Sequence, residues 1–383
     1  MNKYKIKFQP YDKTFEIEEG RDILSFAIEN GINIPSICNG EKLCGKCIIK
    51  ILEGNAPPTH VETKFFSDIE IKDGLRLACK TKVRDNISVL VLNEEEVESI
   101  KILTTGLETP VTPKNEITKI QIKFNKPSLD NLKPYSECLL QSLPEEYNNF
   151  SISFDLLKDM SSILDKDNEN YFLVIKDGEI LNIETQEQKN YGLAFDIGTT
   201  TIVGLLVDLD TGKTVKVASR TNPQVVAGAD VITRINYSIN ENDGLTKLQK
   251  LVISAVNEII NELCINMNYD SNNIYSIALA GNAVMNHLLL GVNPKSMAFA
   301  PYVPVYHFIS DIKAKNLSLN INPSASVYIL PNISGFVGGD IVALILAHKL
   351  LETEKITLGI DIGTNGEIVV GSKKRLLCCA TAA

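Results

Sequence analysis

The chain has 383 residues, 44% of them hydrophobic and 22% charged, with a net charge of −9, a profile that fits two or three ordinary globular domains. The acidic balance leaves no basic footprint for nucleic acid. No stretch approaches the roughly 18 unbroken apolar residues of a membrane helix, since the richest, Ile341 to Leu351, contains His348 and Lys349. The opening MNKYKIKFQPYDK alternates charged and apolar residues without an apolar signal core, so a cytoplasmic protein that engages neither nucleic acid nor membrane is expected.

Residues 1–93 read as short strands around one helix. Lys3 to Phe8 and Thr14 to Ile17 alternate in polarity across a turn at Tyr11-Asp12, which predicts a hairpin. Ile23, Leu24, Ala27 and Ile28 recur at helical spacing, with Gly31 as a stop. A long cysteine-bearing loop follows, and then strand-like CIIKILE, LRLACKTKV and ISVLVL. This part holds 14 basic and 13 acidic residues, so nearly all the net negative charge lies beyond it. Residues 94–116, with Pro110 and Pro113, suit an extended linker. Residues 117–188 predict a small α+β segment, a spacer or dimerisation module, from ITKIQIKF, a helix near Tyr135 to Leu143, and YFLVIKDGEILNIE with a turn at Asp177-Gly178. From 189 to 383, strands alternate with helices, among them a run from Leu248 to Met267. That pattern predicts an α/β layered domain with a partly parallel sheet. The chain stops at LLCCATAA in strand-like sequence, so a C-terminally incomplete domain is expected.

Four of the eight cysteines are spaced Cys38-x5-Cys44-x2-Cys47-x31-Cys79. Three thiols on one loop and a distant fourth suit a [2Fe–2S] cluster. Asn39-Gly40 and Gly45 would let backbone N–H groups approach the sulfurs. Zinc is the alternative, but a zinc ribbon needs a second close pair and Cys79 stands alone. CNGxxxCGKC followed by LACK resembles the β-grasp [2Fe–2S] ferredoxins, its x5 gap matching the adrenodoxin-like branch.

A second signal is a repeated turn. Asp196-Ile-Gly198-Thr199-Thr200-Thr201 ends one apolar strand and opens another, and Asp361-Ile-Gly363-Thr364-Asn365-Gly366-Glu367 repeats the arrangement. Each glycine admits close approach of phosphate, hydroxyl and N–H groups donate to its oxygens, and each aspartate can hold Mg²⁺ directly or through water. A single such turn is equally a hairpin; two facing one cleft point to a nucleotide. The pair resembles the phosphate loops of the acetate kinase, sugar kinase, heat-shock-70 and actin superfamily. Between them, Gly338-Gly339-Asp340 precedes IVALILAHKL. Asp340 reads as a helix N-cap or, by the resemblance to sugar kinases, as a catalytic residue. Asn282, which starts the helix AVMNHLLLG, is a weaker candidate to line the cleft.

Together the ferredoxin motif, AFDIGTTT, AGNAVMNHLLLG, GFVGGD, IDIGTNGE and CCATAA resemble the reductive activators of corrinoid proteins along essentially the whole chain. The resemblance implies a β-grasp [2Fe–2S] ferredoxin, a small α+β middle domain and the first lobe of an actin-like (ribonuclease H-like) ATPase fold. It implies ATP-dependent transfer of one electron from the cluster to a corrinoid protein, restoring cob(I)alamin from cob(II)alamin, with an external low-potential electron donor and, as an option, a homodimer. Cys38, Cys44, Cys47 and Cys79 would hold the cluster. Asp196, Gly198, Thr199, Thr200, Thr201, Gly338, Gly339, Asp361, Gly363, Thr364, Asn365 and Gly366 would hold ATP with Mg²⁺, and Asp340 would act at the nucleophile. The superfamily's adenosine segment follows the second loop and has no counterpart before Ala383, so this chain alone is expected to bind ATP weakly or not at all and to be inactive as an ATPase. The alternatives are a small-molecule kinase of the sugar-kinase type and a plain ferredoxin module of a reductase.

Overall fold

The computed structural model describes residues 3–32, 34, 47–64, 66, 68–91, 111, 113–147, 149–166, 168 and 170–382. It divides into two compact units, 1–107 and 108–383.

In the first unit, β1 (Lys3–Gln9), β2 (Lys13–Glu18), α1 (Ile23–Glu29), β3 (Ile48–Glu53), α2 (Asp68–Lys72), β4 (Leu75–Leu77) and β5 (Ile87–Val91) follow in order. They form one five-stranded mixed sheet, β2-β1-β5-β3-β4, in which β1 and β5 are parallel and the other pairs antiparallel. Asp22 caps α1 by accepting from the Ser25 N–H, and the helix buries Ile23, Leu24, Phe26 and Ala27. These meet the inward residues Ile6, Phe8, Ile17, Ile49, Val89 and Val91. The period-2 alternation of β1 thus becomes one face of a β-grasp core, each large apolar side chain contributing roughly 1.5–3 kcal/mol.

The second unit begins with a four-stranded sheet, β6-β8-β9-β7, made of β6 (Thr118–Ile122), β7 (Ser151–Ile152), β8 (Tyr171–Lys176) and β9 (Glu179–Glu184). Helices α3 (Tyr135–Gln141) and α4 (Phe154–Leu164) share its core through Leu139, Leu156, Met160 and Leu164. Segment 117–188 is anchored to later parts of the chain. Ile117, Val174 and Leu181 cluster with Tyr275, whose hydroxyl donates 3.0 Å to the Glu184 carboxylate. On α4, Asp155 pairs with Lys315 at 2.7 Å and accepts from Ser324.

The larger sheet is built from β10 (Tyr191–Ile197), β11 (Thr201–Asp208) and β12 (Lys213–Thr221), an antiparallel meander. Helices α5 (Val231–Asn240) and α6 (Gly244–Ile265) lead to β13 (Ser276–Ala280), α7 (Ala283–Leu290), β14 (Ile312–Lys313) and β15 (Ser326–Ile329). The strand order is β12-β11-β10-β13-β15-β14, with β13 parallel to β10 and β15 parallel to β13. This is the first lobe of the actin-like fold. Helix α6 buries Leu248, Val252, Val256, Ile259, Ile260 and Leu263 at helical spacing against the sheet. It lies so close that a Cβ on Gly204 would stand 2.5 Å from the Ile259 side chain.

After α8 (Gly339–Ala347), β16 (Thr357–Ile362), β17 (Asn365–Ser372) and β18 (Arg375–Ala382) form a separate antiparallel sheet. Its inner face packs Val369 on Ile341 and Ile345 of α8, while Leu358, Ile360, Ile362 and Leu377 are exposed. Of the expected linker, 94–110 and 112 lie outside the described residues. Its end is tied to the second unit, where the Asn115 amide donates to Asp210 at 3.0 Å and Glu116 pairs with the buried Lys176 at 3.2 Å. Among the described residues no helix is long and apolar enough to cross a membrane.

Candidate functional site

In the first unit, strand pairing brings two of the four cysteines together. Cys47 immediately precedes β3 and Cys79 follows β4. The register Ile48↔Leu77 is extended by a 2.8 Å bond from the Ala78 N–H to the Cys47 carbonyl. Both thiols are buried in the β-grasp core, and neither is in a disulfide. A wholly buried carboxylate, Glu62, holds the approach to Cys79. It accepts from the Leu77 N–H at 2.7 Å, the Thr59 N–H at 2.6 Å and the Thr59 hydroxyl at 2.8 Å. Arg76, also buried, donates to the Ala56, Ile71 and Leu75 carbonyls. Cys38 and Cys44 lie outside the described residues. The pair fits one side of a [2Fe–2S] site, with two soft thiols fixed by backbone rather than by long flexible side chains.

In the second unit, four elements converge. Residues 196–201 form the turn from β10 to β11, Gly281 and Asn282 link β13 to α7, Gly338 to Asp340 open α8, and Asp361 to Glu367 span the β16–β17 hairpin. The two Gly-Thr turns meet directly, with the Thr200 and Thr364 hydroxyls 2.7 Å apart. Asn282 caps α7 by accepting from the Met285 N–H at 2.9 Å and also donates 3.1 Å to the Thr199 hydroxyl, so it both caps and lines. The Gly339 N–H donates 2.8 Å to the Gly281 carbonyl. The glycines are steric requirements here. A Cβ on Gly198 would stand 2.5 Å from the Thr201 carbonyl oxygen, and one on Gly338 2.4 Å from the Ala283 nitrogen. Gly363 and Thr364 are exposed, and the Asn365 side chain lies outside the described part of the structure.

Around these turns stand four carboxylates. Burial raises all four pKa values. Asp196 is pushed up to about 7 by burial and then by the Asp340 and Asp361 charges; it keeps surface open to water while protein crowds its other sides. Burial, with Asp361 adding to it, takes Asp340 to about 6 against the opposing Ile341 N–H bond. Glu367 goes to about 7, by burial and then Asp340 and Asp361, and Asp361 is raised by burial. Burial comes first in each case, and for Asp196, Asp340 and Glu367 repulsion among the carboxylates adds to it, so the cluster favours protons or other positive charge. Among the described residues no three His, Cys, Asp or Glu side chains are close enough to enclose an ion by themselves. The set therefore suits a cation carried by phosphate and held partly through water, as Mg²⁺ commonly is.

The capping reading of Asp340 does not hold in detail. Gly338 is the N-cap, and Asp340 sits in the first turn with its carboxylate accepting from the adjacent Ile341 N–H at 2.7 Å. Two contributors lie outside the sequence motifs, and a third, Glu367, closes the second motif without a role assigned to it there. Glu367 is 4% exposed, on the inward side of β17 with Val369, so an acid in the apolar phase of the alternation was the available signal. Arg234 is wholly buried and shares with Val231, Ile235 and Ser238 the inward stripe of α5, a charge among core positions. Asn222, also wholly buried, donates 2.8 Å to the Gly198 carbonyl across 24 positions and gave no local signal.

Comparison with known families agrees with this layout. Profiles described as "2Fe-2S iron-sulfur cluster binding domain", "RACo middle region" and "C-terminal domain of RACo the ASKHA domain" match residues 6–84, 191–353 and 355–383. The chain matches the RACo family over residues 191–353 and 355–383. It is similar to the corrinoid activation enzyme RamQ of Eubacterium limosum, 27% identical over 99% of this chain and 61% of the relative. A solved "Reductive activator for corrinoid,iron-sulfur protein" is 32% identical, covering 99% of this chain and 63% of that one with a TM-score of 0.62. A component of the Na(+)-translocating NADH-quinone reductase of Chlamydia caviae is 26% identical over 46% of this chain and 44% of the relative. The chain thus spans a little over three-fifths of the two whole-chain relatives. It carries a [2Fe–2S] ferredoxin domain at 6–84 and a match to the ASKHA domain at 355–383. The two Gly-Thr turns fall in different profiles, and the structure joins them at Thr200 and Thr364.

Proposed function

We propose that the protein is an ATP-dependent reductive activator that restores an oxidised corrinoid protein, returning cob(II)alamin to cob(I)alamin with one electron. The cluster supplies that electron. Cys47 and Cys79, with Cys38 and Cys44, hold it, and an external low-potential donor refills it. The names of the two whole-chain relatives support the class of partner. Reduction to cob(I) is uphill from a [2Fe–2S] centre, and each deficit of about 59 mV is tenfold in a one-electron equilibrium. ATP closes such a gap only by favouring a state of the two proteins in which the cobalt is easier to reduce.

The observation that carries the nucleotide part is the meeting of two Gly-Thr turns over four carboxylates with raised pKa values. Thr199, Thr200, Thr201 and Thr364 donate to phosphate oxygens, and Gly198, Gly363 and Gly366 admit the phosphates to the backbone. Asp196 and Asp361 hold Mg²⁺ through its waters. Asp340 and Glu367 stand behind them, and Asp340 orients the attacking water.

The test is to compare, under anaerobic conditions in the whole natural gene product, corrinoid reduction and ATP hydrolysis in wild type and Cys44→Ser. Loss of corrinoid reduction with ATP hydrolysis retained is expected; equal loss of both refutes the division of labour.

A further inference from the structure

The carbonyls of the first phosphate turn are all engaged from one side. The Gly198 carbonyl accepts from the Asn222 side-chain amide at 2.8 Å, the Thr199 carbonyl from the Arg234 guanidinium at 2.6 Å, and the Thr200 carbonyl from the Asn222 backbone N–H at 2.7 Å. In a trans peptide the N–H points opposite to the preceding C=O. Tying the Gly198 and Thr199 carbonyls inward therefore turns the Thr199 and Thr200 N–H groups the other way, away from Asn222 and Arg234. Neither N–H has a backbone acceptor among the described residues.

Arg234 is an unusual residue to find there. It is wholly buried, with its remaining donors on the Gly228 carbonyl at 2.9 Å, Gln224 at 3.2 Å and the Met285 sulfur at 3.4 Å. Among the described residues no carboxylate pairs with it, Asp230 being an electrostatic neighbour that caps α5 instead. Burial lowers its pKa only to about 10, so it stays charged at neutral pH. A buried cation without a partner is costly, and a methionine or leucine would fill such a core position more cheaply.

We infer that Arg234 and Asn222 are positioning residues for an oligophosphate ligand: they hold the turn's carbonyls inward so that its N–H groups face phosphate, and Arg234 places a fixed positive charge behind the turn. This rests on the nucleotide reading above and adds what makes the turn selective for anions despite four nearby carboxylates.

Inorganic triphosphate with Mg²⁺ is the probe, titrated into the ¹⁵N-labelled whole natural gene product while the Thr199 and Thr200 amide resonances are followed. In wild type both amides move on binding. Arg234→Met should raise the Kd about tenfold or more, and Arg234→Lys, which keeps a charge and one donor, should recover part of it. Asn222→Ser keeps an oxygen to accept from the Gln224 N–H but replaces the amide that donates to Gly198 by a single, shorter hydroxyl, and should also raise the Kd several-fold. Its smaller change keeps the test decisive if Arg234→Met fails to fold. A merely structural role would lower the melting temperature while the folded fraction bound triphosphate with the wild-type Kd and amide shifts, and that result overturns the inference. Wild type failing to bind triphosphate overturns the nucleotide reading itself, whatever the variants do.

Discussion

Glu367 offers the sharpest test of the acidic cleft. A carboxylate whose folded pKa is raised binds more protons folded than unfolded between its two pKa values, so stability falls as pH rises through that window. For Glu367 the window runs from its ordinary 4.5 to about 7. Converted at 1.36 kcal/mol per pKa unit, that span is roughly 3 kcal/mol, a ceiling because Asp340 and Asp361 share the repulsion. Glu367→Gln removes the charge and keeps the shape. Without divalent cation the variant should be more stable than wild type at pH 8, by about 1–3 kcal/mol, and indistinguishable near pH 4.5. Urea unfolding at both pH values gives the difference. Millimolar Mg²⁺ with triphosphate should shrink the advantage or reverse it, because the cation repays the wild-type carboxylate. A Glu367→Gln protein equally destabilised at both pH values would refute the reasoning and make Glu367 an ordinary hydrogen-bonding residue.

Three further outcomes are expected from the geometry. Glu62→Ala leaves the buried Leu77 N–H and the half-buried Thr59 N–H without their acceptor, which should cost about 3 kcal/mol and lower the bleaching temperature of the cluster's visible absorbance by roughly 10–20 °C. Gly338→Ala forces a Cβ against the backbone of Ala283, so α8 must shift; triphosphate binding should weaken by at least tenfold, as read by calorimetry, and undiminished affinity would show that the α8 start does not shape the cleft. Asp155 is held down to about 2, first by Lys158, then by Lys315. Its contribution is therefore present above about pH 4 and lost as pH falls through 2, and Asp155→Asn should cost about 1–2 kcal/mol at pH 7 in thermal unfolding and little at pH 2.

Local signals carried the sequence reading where chemistry and spacing coincide. The β-grasp strands, α1 and the two Asp-x-Gly-Thr turns are contiguous patterns, so periodicity and turn residues locate them. The helix expected at Leu248 to Met267 is Gly244–Ile265, shifted because the apolar stripe marks a face rather than an end. What was not legible depends on register between distant elements. Asn222 reaches Gly198 only once β12 lies beside β11, and Glu184 meets Tyr275 only once the two sheets of the second unit share an edge of core. Segment 117–188 read as a spacer for the same reason: its attachments, through Tyr275, Lys315 and Ser324, lie more than 90 positions away.

Selectivity in the cleft arises from the sum of these charges. Four carboxylates repel a bare oligophosphate, and two outward N–H groups with one buried guanidinium do not offset that repulsion by themselves. A phosphate chain should therefore enter only with a divalent cation that the carboxylates attract, so triphosphate without Mg²⁺ should bind far more weakly than with it. Each of these carboxylates, its pKa raised first by burial, would be relieved by protonation or by a cation. Loading the site consequently releases protons and stabilises the protein at once. Two turns that touch at Thr200 and Thr364 but belong to different sheets would share an ion brought by phosphate, and occupancy of the cleft would then be felt by the elements around it.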